Sequence, residues 1–141
     1  WIGEPAEAVQ RMAAAARPGG TVVALDYNHA DNRLEPPEPA AFQRFYGAFL
    51  DWRAGHGWDN RMGDHLAELF GAAGLWEIRV TVEDEESAES TWPHVMEALG
   101  PRMVSEGALG EGERLAAMAA MREFRGTQRL VLRAVMGVRA D

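Results

Sequence analysis

The sequence contains no cysteine, which removes disulfides, zinc–thiolate centres and thiol nucleophiles from consideration. It also lacks any Lys/Arg-rich stripe. Acidic residues (22) outnumber basic ones (14), the formal charge is −8, and the two signs are interspersed. Such a surface repels a phosphate backbone, so nucleic acid is set aside as a partner. No apolar run approaches the ~20 residues of a membrane-spanning helix, and no signal-peptide pattern is present. No membrane partner is expected, and the cytoplasm is the expected location. The acidic run "EDEE" (83–86) reads as solvated, because adjacent carboxylates cannot all point one way; no metal site is expected. There is no internal repeat.

What is present suffices for one modest core: 141 residues, 47% of them hydrophobic, in an ordinary globular composition. "EPAEAVQRMAAAARPGG" reads as a helix, with Pro5 in its first turn and Val9, Met12, Ala13 and Ala16 as its apolar stripe. Pro18-Gly19-Gly20 stops it. Thr21 to Leu25 then follows without alternation, which predicts a strand buried on both faces. The run ends in Asp26-Tyr27-Asn28-His29, a cluster of hydrogen-bonding and proton-carrying groups. His29 to Pro39 reads as a loop.

"AAFQRFYGAFLDWR" places Phe42, Phe45, Tyr46, Phe49, Leu50 and Arg53 at helical spacing. A further helix is capped by Asp59 or Asn60, carries Met62, Leu66, Leu69, Phe70 and Ala73 on one face, and closes at Gly74. From Leu75 to Glu83, Trp76, Ile78, Val80 and Val82 alternate with charged or polar residues, as in a one-sided strand near a sheet edge. "EDEESAES" reads as an acidic linker. Two helices are expected over Thr91–Met103 (Trp92, Val95, Met96, Leu99) and Glu111–Phe124 (Leu115, Met118, Ala119). "TQRLVLRAVMGV" predicts a closing strand inside the sheet, inserted between the two earlier strands and antiparallel to its neighbour.

In order and spacing, "AARPGGTVVALD" (15–26), "LAELFGAAGLWEIRV" (66–80) and "TQRLVLRAVMG" (127–137) resemble the C-terminal half of a class I S-adenosylmethionine-dependent methyltransferase. In that family a "PGG" turn leads into the fifth strand, an "AAG(L/F)" helix end leads into the sixth, and an antiparallel seventh slots between them. The resemblance covers nearly the whole chain, 1–141, with looser agreement at 28–60 and 84–126. It implies an α/β fold: the C-terminal part of a Rossmann-like sheet, with those two helical excursions forming a cap. It also implies S-adenosylmethionine as cofactor and a small-molecule methyl acceptor. The family's Gly-rich turn and its ribose-binding acidic residue have no counterpart in these residues. No cofactor-contacting residue is therefore assigned, and either a missing N-terminal half or a second copy of the chain is expected as partner. The isolated chain is expected to be inactive and to bind the cofactor negligibly.

Ligands of open α/β sheets bind beyond the carboxyl ends of the strands. Asp26, Tyr27 and Asn28 become candidate substrate-binding residues on that ground, and His29 a candidate proton acceptor. Against this stands the plainer expectation that Asp26 and Asn28 satisfy turn amides while His29 is solvated. Tyr46 and Trp52 are candidate substrate contacts within the aromatic stripe of Phe42, Phe45, Phe49 and Trp58, which could stack a cation; an ordinary core-facing helix is the alternative. His56 and His94 are expected at the surface. A non-catalytic binding or dimerisation module built from half a fold is the competing reading of the whole.

Overall fold

The structure is a computed structural model and describes residues 3–87 and 91–140. It is a mixed α/β fold with an open antiparallel sheet, in the order α1 (Pro5–Ala15), β1 (Thr21–Tyr27), a 3-10 turn (His29–Asp31), β2 (Arg33–Glu35), α2 (Ala40–Gly55), α3 (Met62–Ala72), β3 (Leu75–Ser87), α4 (Trp92–Ser105), α5 (Glu111–Glu123) and β4 (Thr127–Arg139). Among the described residues no helix is long and apolar enough to cross a membrane. The chain packs as two units. One gathers residues 3–31, 58–85 and 131–140; the other gathers Asn32–Gly57 and Glu86–Leu130.

In the first unit, α1 starts at Pro5 and is stopped after Ala15, where Gly20 donates to the Arg17 carbonyl at 2.8 Å. Gly19 takes φ +69°, a conformation that suits a residue without Cβ. The Arg139 guanidinium donates to the Ala14 carbonyl at 2.8 Å and to that of Ala16, satisfying the open end of α1. β1 runs antiparallel to β4, Val23 opposite Met136 and Leu25 opposite Ala134. β4 pairs with β3 as well, so the last strand in sequence joins the two earlier ones. The core comprises Val9, Ala13, Val22, Leu66, Phe70, Leu75 and Val135. Met12, expected on the α1 stripe, is instead exposed.

Thr21–Leu25 is not buried on both faces. Residues paired across a sheet share a face, and the core takes Val22 with Val135 but not their neighbours. Val23 is 55% exposed, Leu25 62%, and Met136 is exposed beside them. That other face continues through Tyr27, Leu132, Ala134 and Val138 without a charged residue. Among the described residues, no helix of this unit is placed to bury it. Among the described residues β1 also pairs with β4 alone, so its second edge is open there.

β3 departs from its expected one-sided pattern for a local reason. Glu77 sits at φ +48°, which breaks the two-residue alternation. Leu75 and Ile78 consequently both approach Gly137, where a Cβ would lie 3.0 and 3.6 Å from them. Trp76, Val80 and Val82 are left exposed. The expected acidic linker begins as strand, since β3 extends to Ser87; 88–90 lie outside the described residues.

The second unit is built on α2, α4 and α5. Phe42, Phe45, Phe49, Trp52, Trp92, Met96, Met103, Ala117, Met118 and Met121 are buried. The buried stripe of α5 is Ala117, Met118 and Met121, whereas Leu115 and Ala119 face solvent. The stretch expected as a continuous loop after His29 contains β2, three residues long, with Leu34 buried and opposite Gln128 of β4.

Candidate functional site

At the carboxyl end of β1 the chain turns through Asn28 into the 3-10 turn. Asp26 accepts the Tyr27 amide at 2.8 Å, the turn-satisfying role that a carboxylate can take at a strand end. Asn28 takes a different role. Its side-chain amide donates to Asp31 Oδ2 at 2.8 Å. Asn28 is 1% exposed, and its Oδ1 is buried without a hydrogen-bond partner among the described residues. The oxygen lies against α3, where a Cβ on Gly63 would come within 3.0 Å of it.

His29 is 6% exposed and is not solvated; its ring lies 4.7 Å from that of Tyr27. The backbone holds the turn from two sides: Ala30 donates to the Asn60 carbonyl at 3.2 Å, and Asp31 to the Asn28 carbonyl at 3.1 Å. Asp26, Tyr27, Asn28 and His29 are thus contiguous in one unit.

Four charged groups surround this turn in an alternating ring. Arg133, opposite Asp26 in the β1–β4 register, reaches Asp64 Oδ1 with Nε at 2.6 Å and Asp31 Oδ2 with Nη2 at 3.4 Å. Arg61 reaches Asp31 Oδ1 at 3.3 Å and Asp64 Oδ2 at 3.0 Å. Partial burial pushes the Asp64 carboxyl up, but the Asn28 amide and the Arg133 and Arg61 guanidinium groups outweigh it and hold the pKa below its ordinary 3.8. Beside the ring, Asp59 accepts the Arg61 amide at 2.7 Å, turning the chain into α3. The other Asp59 oxygen pairs with His65 Nδ1, and this hydrogen bond raises the His65 pKa above 6.5.

Asp31, Arg61, Asp64 and Arg133 were not legible as a group, because their numbers span most of the chain. One signal was available. An arginine inside the apolar run "LVLRAVM" needs a carboxylate partner if it is to be buried, and Arg133 is mostly enclosed.

Tyr46 and Trp52 lie in the second unit. Tyr46 stacks on Phe42 and Phe49 and meets Trp92 edge-on at 4.9 Å. Trp52 is buried and donates from Nε1 to Glu106 Oε2 at 2.6 Å, with the Arg102 guanidinium 5.5 Å from its ring. Hydrogen bonds from Arg102 and then Trp52 hold the Glu106 carboxyl below the usual range. The burial of Phe42, Phe45, Phe49 and Trp52 is that of a core-facing helix. His56 and His94 are exposed, as expected. A cleft of about 360 Å³ in this unit is lined by Arg33, Leu34, Glu35, Pro37, Glu38, Glu86, Thr127 and Arg129.

The described residues do not fit an adenosyl cofactor. The turn after β1 contains no glycine, and the carboxylates of Asp31 and Asp64 are already taken by arginines. The positive-φ glycines are Gly19, Gly57, Gly74 and Gly107. Each lies after the carboxyl end of a helix, none between a strand end and a helix start where a Gly-rich cradle belongs.

No family model and no curated protein sequence matches the chain. Among solved structures, the chain is similar to phosphoethanolamine N-methyltransferase 2 of Haemonchus contortus, in complex with phosphomonomethylethanolamine and S-adenosylhomocysteine. Identity is 10% and the TM-score 0.44, over 99% of this chain and 31% of that protein. The chain therefore spans about a third of that protein's length.

Proposed function

We propose that this chain is the substrate-side portion of a class I S-adenosylmethionine-dependent methyltransferase acting on a small molecule. The observation that carries this reading is the pairing of β4, the last strand, with both β1 and β3, antiparallel to β1. This pairing agrees with the inserted closing strand that the three sequence motifs imply, and so supports the reading. The cofactor's reactive part is an electrophilic methyl group. In this reading a Gly-rich segment outside these residues would hold it.

Methyl transfer is a displacement that needs chiefly alignment of the acceptor and exclusion of water. Asp26, Tyr27 and Asn28 would shape the acceptor end, with the Tyr27 ring supplying an apolar wall. His29 would take a proton from an acceptor that must lose one.

The open apolar face and the unpaired edge of β1 support a partner layer over the first unit, and the missing half is the occupant this reading names. The same two features also favour the competing reading, a non-catalytic module that associates through this face. Transfer of a labelled methyl group from S-adenosylmethionine to a panel of small amines, phenols and carboxylates tests the proposal, using the chain extended by a Gly-rich half. Turnover that falls at least about tenfold in His29→Ala or His29→Asn supports it. An extended protein that folds and transfers nothing to any acceptor leaves the binding-module reading in its place.

A further inference from the structure

We infer that the ring of Arg133, Asp64, Arg61 and Asp31 is a positioning device that sets the course of Asn28–Asp31 at the carboxyl end of β1. That this segment faces a substrate rests on the methyltransferase reading; the positioning itself does not. The ring closes on itself. Arg133 to Asp64 is 2.6 Å, Asp64 to Arg61 3.0 Å, Arg61 to Asp31 3.3 Å, and Asp31 back to Arg133 3.4 Å.

Its members come from β4, the start of α3 and the 3-10 turn, so it ties three segments that the backbone alone leaves independent. The Asn28 amide bonds the Asp31 carboxylate and helps to stabilise that of Asp64. Each aspartate therefore meets two guanidinium groups, and Asp31 an amide as well, a density of contacts that isolated surface pairs lack. Gly63 is part of the same construction. A Cβ there would lie 3.0 Å from both Arg133 Cδ and Asn28 Oδ1, so any larger residue must displace these side chains, and glycine suits the close approach of α3. Because Arg133 stands opposite Asp26 in the strand register, the ring is anchored to the strand pair that presents the candidate residues.

Hydrogen exchange of the full 141-residue chain provides the test. Asp31→Asn and Arg133→Met should speed exchange of the Ala30 and Asp31 amides at least about tenfold, while Val22 and Val135 in the sheet keep their protection. Asp31→Glu, which keeps the charge, should recover most of the protection. Gly63→Ala, which keeps every charge but pushes α3 away, should reproduce the loss. Should Arg133→Met fail to fold, Asp31→Asn and Gly63→Ala still decide the matter, since neither removes a core side chain. Exchange at Ala30 and Asp31 that is unchanged, or that rises only in step with the sheet amides, overturns the positioning role. Neither outcome depends on whether the protein transfers a methyl group.

Discussion

Leu25 lies in the middle of an apolar strand, and a purely sequence-based expectation makes it a core residue. In the structure it is 62% exposed. Full burial of a leucine is worth about 1.5–3 kcal/mol; with roughly two-fifths of it covered, no more than about 1 kcal/mol of this is realised. Leu25→Thr introduces a strand-compatible β-branched side chain and should therefore cost the isolated chain less than about 1 kcal/mol. Phe70→Ala is the internal standard. That ring is fully enclosed among Val22, Leu66, Leu75 and Val135, and its loss should cost about 3–5 kcal/mol. Urea unfolding followed by tryptophan fluorescence, compared at constant m, measures both. In a protein where another layer covers the β1–β4 face, the Leu25→Thr cost should rise by about 1–2 kcal/mol as the remaining area is buried. A Leu25→Thr cost in the isolated chain equal to that of Phe70→Ala would refute the open-face account.

Three other outcomes follow from particular contacts. Gly126→Ala drives a Cβ into the Glu35 carbonyl and to 2.5 Å from the Phe124 ring; with backbone as the obstacle, it should destabilise the chain by about 1–3 kcal/mol, read as a lowered midpoint in thermal unfolding. NMR titration of His65 should give a pKa above 6.5 that returns toward 6.5 in Asp59→Asn. Since the folded value is the raised one, any stabilisation from this pair is complete below 6.5 and is lost as pH rises through the folded pKa. The Asp64 case has the opposite sign: its folded pKa is depressed, so the ring's contribution is complete above 3.8 and is lost as pH falls through the lower folded value. Asp64→Asn should flatten the acid limb of the stability curve, and an unaltered limb would contradict the assignment.

Elements with strong local signals are legible in the sequence. Pro5 and the Pro18-Gly19-Gly20 stop bracketed α1, Gly74 closed the helix before β3, and α4 and α5 fell within two residues of their expected bounds. The pairing of the last strand with β1 and β3 was legible too, because the motif order constrains it. What escaped was decided at longer range. β2 is three residues long, between prolines and a polar turn, and exists only through its pairing with the start of β4. The exposed face of β1 escaped because an apolar run reveals that both faces are hydrophobic, not that both are covered. A single left-handed residue, Glu77, shifted the faces of β3 without a glycine to announce it. At the candidate site, Asp26 to His29 were visible as a cluster, but the arginines and aspartates that fix them come together only on folding. For α5, alanines at several phases around the helix left the buried stripe undefined by periodicity.

The central claim is that these residues form the substrate side of a methyltransferase whose cofactor is held elsewhere. Calorimetric titration of S-adenosylhomocysteine tests it most directly, run on the 141-residue chain and on the same chain extended by a Gly-rich half. The account predicts no saturable heat for the chain alone at millimolar ligand, and a dissociation constant in roughly the micromolar range once the Gly-rich half is present. Micromolar binding by the 141-residue chain alone would contradict it, as would a folded, extended protein that binds none.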